Sequence, residues 1–261
     1  MEPRPLAAIT GASSGIGAMF ARKLAADHDL LLIARRKDRL EQLASELSPA
    51  RAEVLTADLA AEDGQKKVAE RLDGDARLVL LVNNAGFGNK GRFWESSLAS
   101  QEAMHQVHVM ATMRLTHAAL RGMVARDRGA IINVASVAAF VRSPGSVSYC
   151  ATKSWIAVFT EALDLDLRSL GSRVTVQALC PGFTYSEFHD VVGLDRAKLA
   201  PKSFWLPADR VVDASLKGLR RKKLFVIPGG QYRLLTALIT KMPSGMRVAF
   251  EGAIGRESRY K

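Results

Sequence analysis

The sequence predicts an α/β protein with a doubly wound parallel sheet and helices on both faces. Seven apolar, strand-like runs alternate with segments whose apolar residues recur at helical spacing. Parallel neighbouring strands need crossover helices, and these cover the two faces of the sheet. The chain has 261 residues, of which 48% are hydrophobic, so one domain with a substantial core is expected.

Each predicted strand is a short, strongly apolar run. In chain order the runs are PLAAITG at 5–11, DLLLIAR at 29–35, AEVLTADL at 52–59, LVLLVNNAG at 78–86, AIINVAS at 130–136, VTVQALCPG at 174–182 and LFVIPGG at 224–230. Helical spacing follows the first run and then covers residues 39–47, 60–72, 100–126, 149–170 and 208–220. Ligands of open parallel sheets bind beyond the carboxyl ends of the strands, so those ends carry the functional information.

The first predicted strand runs into a glycine-rich loop, TGASSGIG at residues 10–17. Gly11, Gly15 and Gly17 permit a tight turn and a close approach of the backbone to a ligand. The helix that follows presents its amino terminus to a phosphate group. Glycines also serve ordinary turns, but a loop between the first strand and the first helix favours a Rossmann-like dinucleotide site.

The residues after the second and third strands suggest which dinucleotide is bound. Arg35 and Arg36 stand where an NAD-binding protein usually places an acidic residue, and two arginines can meet a 2′-phosphate. The sequence therefore favours NADP(H), although either arginine could simply be solvated. Asp58 ends the third strand, where it can meet an adenine edge or cap the next helix.

The overall charge and the two cysteines narrow the environment of the protein. A formal net charge of +11 favours anionic partners, and a phosphorylated cofactor is one of these. Nucleic-acid binding is not expected, because the basic residues are scattered and no known motif accompanies them. Two cysteines make no disulfide framework, and no run is long enough to span a membrane, so a cytoplasmic location is expected.

A tyrosine and a lysine lie four residues apart in the helical segment that contains SYCATKSWIAVF. At this spacing Tyr149 and Lys153 share one helix face. A nearby ammonium group favours the phenolate, lowers the pKa of the phenol and makes it a usable general acid or base. Taken alone, the pair is equally an ordinary helix with a surface lysine.

Several motifs together resemble the short-chain dehydrogenase/reductase family. They are TGASSGIG, NNAG at 83–86, NVAS at 133–136, YCATK at 149–153 and PG at 181–182, and their order spans most of the chain. The resemblance implies that Ser136 hydrogen-bonds the substrate oxygen and that Tyr149 transfers a proton. It also implies that Lys153 binds the nicotinamide ribose and lowers the tyrosine pKa.

The resemblance also implies a set of residues that contact the cofactor. They are Thr10, Gly11, Ser13, Ser14, Gly15, Ile16, Gly17, Arg35, Arg36, Asp58, Leu59, Asn84, Ala85, Gly86, Tyr149, Lys153, Pro181, Gly182 and Thr184. Asn83, which begins NNAG, is expected by the same resemblance to contact the cofactor, and NNAG is also expected to help hold the central sheet.

One residue departs from the pattern of the family. Where its members usually carry an asparagine that supports a water linked to the lysine, spacing places His108 in this chain. A histidine can hold a water, but its protonation changes near neutral pH. We expect His108 to act in the proton relay and to make turnover pH-sensitive; the alternative is that it only packs in the helix. His105 lies three residues earlier, but no third metal ligand is evident, so no metal site is expected.

Two segments are expected to shape the substrate site. By resemblance, residues 183–206 form a substrate lid, and their aromatic and aliphatic content favours a hydrophobic ketone, aldehyde or alcohol. Phe87, Phe93 and Trp94 are expected to add an apolar wall. The C-terminal extension, residues 231–261, is expected to pack on its own domain; covering the substrate pocket, a subunit contact and a peripheral membrane contact are the other possibilities.

The combined expectation is a single dinucleotide-binding oxidoreductase domain over residues 1–261. It uses NADP(H), reduces a hydrophobic carbonyl in a reversible reaction and, by resemblance, forms a homo-oligomer. The alternative is a non-catalytic NADP(H)-binding sensor or scaffold, for which His108 is the one hint in the sequence.

Overall fold

The centre of the molecule is a parallel sheet of seven strands. The computed structural model describes residues 4–89, 91–188 and 200–258. Its strands are β1 Leu6–Thr10, β2 Asp29–Ala34, β3 Ala52–Thr56, β4 Leu78–Asn83, β5 Ala130–Val134, β6 Thr175–Leu179, β7 Thr184–Tyr185, β8 Leu206–Pro207 and β9 Phe225–Val226. The central sheet has the order β3-β2-β1-β4-β5-β6-β9, while β7 and β8 pair separately.

The helices connect these strands. They are α1 Gly15–Leu24, α2 Lys37–Ser45, α3 Glu62–Leu72, α4 Leu98–His105, α5 Thr112–Ala125, α6 Val147–Ser169, α7 Ala208–Arg220, α8 Gly230–Lys241 and α9 Ser244–Ser258. A π-helical segment, Gln106–Ala111, joins α4 to α5. None of the helices in the described part of the chain is long and apolar enough to cross a membrane.

The predicted fold class is confirmed. Each of the seven predicted strands contains a strand of the central sheet, and the strand order reverses between β1 and β4 as in a doubly wound sheet. The sequence pattern missed the two-residue strands β7 and β8, which are too short to produce alternation. It also read α4, the π-helical segment and α5 as one helix.

Successive residues of the strands point into two separate apolar layers. On β1, Leu6 and Ala8 belong to the layer that α3 and α5 cover, whereas Ala7 and Ile9 belong to the layer that α1, α2 and α7 cover. This alternation explains why the central strands are apolar along their whole length, since both faces are buried.

A chain of polar side chains crosses the middle of the sheet. Asn83 on β4 donates to Asn133 Oδ1 on β5 at 2.9 Å and to Thr116 Oγ1 on α5 at 3.0 Å. Asn133 in turn donates to Thr160 Oγ1 on α6 at 3.0 Å. Buried amides need such partners, and the network fixes how α5 and α6 sit on the strands. The expected role of Asn83 in the sheet agrees with these contacts, whereas its expected contact with the cofactor does not, because Asn83 is held in this network and is not among the residues that line the cavity at the carboxyl ends of the strands.

The C-terminal extension packs against the carboxyl-end loops through Tyr232 on α8. The Tyr232 side chain is 2% exposed; its hydroxyl accepts from Phe183 N at 2.9 Å and donates to Phe204 O at 2.5 Å. A Cβ atom on Gly182 would lie 2.1 Å from Tyr232 Cζ, so only glycine admits this ring. Packing on its own domain is therefore what the described part of the extension shows; membrane contact stays a prediction.

Replacing Tyr232 with phenylalanine tests this attachment. Tyr232→Phe leaves the ring in place but removes the acceptor of Phe183 N, and we expect a loss of about 1–3 kcal/mol in the free energy of unfolding. Urea denaturation measures it. Tyr185→Phe, at a tyrosine that is 42% exposed, is the control and should cost less. Equal losses in both variants would contradict the role given to the Tyr232 hydroxyl.

Candidate active site

A cavity of about 880 Å³ lies along the carboxyl ends of the strands. It runs from the glycine-rich loop to α6 and on to the C-terminal helices α8 and α9. All the predicted site residues line this cavity except Thr10, Gly17, Asn83 and His108. These four lie behind its walls, and their contacts are structural ones.

The glycine-rich loop has the shape of a phosphate cradle. Gly11 and Gly15 have φ angles of +66° and +55°, a backbone conformation that glycine adopts without strain. A Cβ on Gly17 would lie 2.3 Å from Gly11 O, so this glycine lets α1 pack tightly under the loop. Thr10 Oγ1 accepts from Asn84 N and Ala85 N, each at 2.9 Å, and ties the loop to the end of β4.

The residues that are expected to contact the adenosine part of the cofactor lie on the side of the cavity beyond β2 and β3. Arg35 and Arg36 are exposed there, and Asp58 and Leu59 line the same side. Arg36 Nη2 donates to Ser13 Oγ at 3.1 Å. The loop and the arginine after β2 are therefore already in contact, as a site for a 2′-phosphorylated adenosine requires.

Ser136 and Tyr149 lie close together in the middle of the cavity, between the half lined by the glycine-rich loop and a second half that is mainly apolar. Ser136 follows β5 and is 8% exposed, and its hydroxyl lies close enough to the Tyr149 phenol to lower the phenol's pKa. Ser136 Oγ also accepts from Ala138 N at 3.1 Å and lies 3.4 Å from Pro181 O. The two hydroxyl groups thus converge on one point of the cavity, the arrangement needed to bind a single substrate oxygen.

Lys153 lies one helical turn after Tyr149 and is almost fully buried. Its Nζ donates to Val134 O at 2.8 Å, and it lies 5.8 Å from the centre of the Tyr149 ring. Burial lowers the pKa of Lys153 to about 8. At neutral pH the group is mostly an ammonium, held beside the ring but not bonded to the phenol oxygen.

The direction of the Tyr149 pKa differs from the sequence-based expectation. Burial raises the pKa of Tyr149 to about 12, and the Ser136 hydroxyl opposes this only in part. Lys153 was expected to lower the value, but here its ammonium is engaged by Val134 O. Loss of water around the phenol therefore sets the direction of the shift in its pKa. At neutral pH Tyr149 is a protonated acid.

His108 lies in the π-helical segment and is fully buried. Its Nε2 accepts from Phe87 N at 3.2 Å, so Nδ1 carries the proton and donates to Thr152 Oγ1 at 2.9 Å. Thr152 Oγ1 in turn donates to the backbone oxygen of Tyr149 at 3.1 Å. Both ring nitrogens are therefore used in joining the loop after β4 to α6.

The expectation that His108 titrates near neutral pH is wrong. Burial, with the Lys153 charge adding to it, holds the pKa of His108 well below its ordinary value. A Cβ on Gly86 would lie 2.7 Å from His108 Nε2, so Gly86 is what lets the ring approach the loop. The geometry favours the alternative in which His108 packs and holds α6 in place.

The other half of the cavity is mainly apolar. The sequence-predicted Phe87, Phe183 and Phe188 line it, whereas Phe93 and Trp94 are exposed at 49% and 76% and lie elsewhere. The expected wall at residues 93 and 94 is therefore absent from the described cavity lining. The middle of the predicted lid, residues 189–199, lies outside the described residues.

The C-terminal helices line the cavity, which agrees with the possibility that the extension covers the substrate pocket, through residues that were not predicted individually. They are Tyr232, Leu235, Ile239 and Glu251. Glu251 is 6% exposed, and its Oε1 accepts from Arg142 N at 2.9 Å, which closes this end of the cavity with a polar contact. The only sequence signal for these residues was the apolar run beyond the seventh predicted strand.

These features define a dinucleotide-binding oxidoreductase site. The glycine cradle at the amino terminus of α1 fits a pyrophosphate, and the space between this cradle and Ser136 fits the rest of a nicotinamide cofactor. Among the described residues there is no group of three or more histidine, cysteine or acidic side chains that could hold a metal ion. The site offers two hydroxyl groups and a lysine beside the space for such a cofactor.

Comparison with known proteins agrees with this class. The profile described as short chain dehydrogenase matches residues 5–196. The chain belongs to the short-chain dehydrogenase/reductase family, and it is an oxidoreductase of the kind that uses a nicotinamide cofactor.

Individual relatives cover most of the chain. Nodulation protein G of Rhizobium sp. (strain N33) is 35% identical over 186 residues, which are 70% of this chain and 75% of that protein. A short-chain dehydrogenase from Sphingobium yanoikuyae in complex with NADPH has a TM-score of 0.82 and 34% identity, covering 92% of this chain and 97% of that one. The bulky-bulky ketone specific alcohol dehydrogenase from Comamonas testosteroni has a TM-score of 0.77 and 30% identity, covering 92% and 95%.

The buried, neutral state of His108 predicts how stability changes with pH. The unfolded chain binds a proton at this histidine below about pH 6.5 and the folded chain does not, so folding loses free energy as pH falls. We expect the wild type to lose about 1 kcal/mol more than His108→Asn between pH 7.5 and 5.5. Urea denaturation at the two pH values measures the difference.

His105→Asn removes an exposed histidine three residues away and serves as the control, which should follow the wild type. If His108→Asn shows the same pH dependence as the wild type, His108 takes up a proton as readily in the folded protein as in the unfolded chain, and the assignment of its hydrogen bonds is wrong.

Proposed function

We propose that this protein is an NADP(H)-dependent reductase that converts a hydrophobic ketone or aldehyde into an alcohol. The observation that carries the proposal is the placement of the Ser136 and Tyr149 hydroxyl groups side by side, between the glycine-rich loop and the apolar part of the cavity. A protonated phenol at this point is suited to reduction, since reduction consumes a proton.

Each residue of the site has a separate role in the proposed reaction. NADPH, when bound, supplies the hydride to the carbonyl carbon. Tyr149 gives its phenolic proton to the carbonyl oxygen, and Ser136 donates a hydrogen bond to the same oxygen as negative charge develops there. The tyrosinate that remains lies beside the Lys153 ammonium, which stabilises it until a proton returns from solvent. The reverse sequence oxidises the alcohol.

Two observations support NADP(H) over NAD(H). Arg35 and Arg36 follow β2 at the edge of the cavity, and Arg36 already contacts Ser13 of the glycine-rich loop. A guanidinium group binds a phosphate through paired N–H donors, which a ribose hydroxyl cannot exploit. The relative from Sphingobium yanoikuyae was solved with NADPH.

The cavity lining supports a substrate with a large apolar body. Phe188 lies 5.7 Å from Tyr149 between ring centres, so an aromatic wall stands directly beside the acid. Leu235 and Ile239 extend this wall from α8. The Comamonas testosteroni relative is named for bulky-bulky ketones, which is the substrate class that the present cavity favours.

Turnover by purified protein tests the proposal. NADPH oxidation with a panel of apolar ketones and aldehydes should exceed NADH oxidation, and Tyr149→Phe should lower kcat by about 100-fold or more while NADPH still binds. Tyr185→Phe, at an exposed tyrosine outside the cavity lining, is the control and should keep the wild-type rate.

A preference for NADH would contradict the roles of Arg35 and Arg36. NADPH binding without turnover of any carbonyl or alcohol would instead favour the non-catalytic sensor.

A further inference from the structure

The arginine assigned to the cofactor phosphate is already paired with a carboxylate of the protein. Glu187 Oε2 accepts from Arg36 Nη2 at 2.9 Å, and Glu187 Oε1 lies 3.6 Å from Arg39 Nη1. The Ser14 hydroxyl also hydrogen-bonds this carboxylate. One acidic side chain therefore joins the glycine-rich loop, the end of β2 and the first turn of α2.

Glu187 reaches this place because its backbone crosses the loop. It follows β7, whose Thr184 lines the cavity near Gly182. A Cβ on Gly15 would lie only 3.0 Å from Ser186 Cβ, so the residue before Glu187 packs against the phosphate cradle. The carboxylate thus lies across the path from the pyrophosphate position to Arg36.

We propose that Glu187 lowers the preference for NADP(H) by competing with its 2′-phosphate for Arg36. The proposal rests on the function proposed above, because it assumes that Arg36 receives this phosphate. Glu187 holds Arg36 through Nη2, so a phosphate that takes the Nη1–Nη2 pair must displace the carboxylate. A phosphate that binds through the other donors of Arg36 lies beside the carboxylate and is repelled by its charge. In either case part of the binding free energy of NADPH is lost.

The competition applies to only one of the two cofactors. NADH has no 2′-phosphate and can bind with the Arg36–Glu187 pair intact. Glu187 accordingly reduces the factor by which the protein binds NADPH more tightly than NADH. Where the phosphate takes the donor that Glu187 holds, binding of NADPH also moves Glu187, which comes shortly after the residues on the nicotinamide side of the site. The Arg36 and Glu187 side chains are 44% and 38% exposed, so the effect is of the size that surface ion pairs have.

Glu187→Gln tests the competition, since the amide keeps the shape of the side chain and removes its charge. We expect the Kd for NADPH to fall about threefold and the Kd for NADH to change much less. Both are measured by fluorescence titration of the reduced cofactor at low and high salt, and the gain should shrink as salt screens the pair.

Glu41→Gln is the matched control. Glu41 is an exposed carboxylate on α2 that pairs with Lys37 at 3.4 Å, so its removal changes the net charge equally without touching Arg36. If both variants tighten NADPH equally, the effect is one of overall charge and the proposal is wrong. It is also wrong if Glu187→Gln leaves NADPH binding unchanged or weakens it, since Glu187 would then not oppose the phosphate.

The wild-type measurements separate this proposal from the one on which it rests. A wild type that binds NADH more tightly than NADPH overturns the proposed cofactor, whatever Glu187 does. If the wild type binds NADPH more tightly than NADH, but Glu187→Gln does not lower the Kd for NADPH, only the proposed competition between Glu187 and the 2′-phosphate is wrong.

Discussion

The site depends on one hydrogen bond, which runs from Lys153 Nζ to Val134 O at 2.8 Å. It joins α6 to the last residue of β5, two residues before Ser136. Because Tyr149 lies one turn before Lys153 on the same helix, this bond sets the distance between the two hydroxyl groups of the site. A buried ammonium is costly, and the lowered pKa of about 8 records that cost.

The surrounding contacts hold the same helix from other directions. Asn133 donates to Thr160 Oγ1 on the core side of α6, and His108 binds Thr152 on the side of the loop after β4. In this arrangement the histidine is a fixed link rather than a titrating group, because burial keeps it neutral. Functional sites of this kind need rigid support, and here the support comes from polar groups whose partners are all internal.

Much of the fold could be predicted because it depends on local patterns. The seven strands of the sheet are apolar runs of the right length, and Gly11, Gly15 and Gly17 mark a turn that few other residues permit. Sheet geometry predicted only that the site lies at the carboxyl ends of the strands. The roles of Ser136, Tyr149 and Lys153 came from the resemblance of several motifs to one family.

What could not be predicted depends on contacts between distant segments. Glu187 contacts Arg36, which lies 151 positions earlier in the chain, and Tyr232 contacts Phe183, which lies 49 positions earlier. The spacing of apolar residues gives no information about contacts between such distant segments. The Tyr149 pKa was expected to fall, but its direction is set by burial, which the sequence does not display. The π-helical segment was likewise hidden, because an apolar pattern at helical spacing does not reveal one changed turn.

Transfer of a deuterium label tests the central claim most directly, which is that the site moves a hydride onto a carbonyl carbon beside Ser136 and Tyr149. Reduction of an apolar ketone with NADPH deuterated at the transferable C4 position, followed by mass spectrometry of the alcohol, locates the label. The account predicts one deuterium on the carbinol carbon. An alcohol without the label, formed while the cofactor is oxidised, would contradict direct hydride transfer at this site.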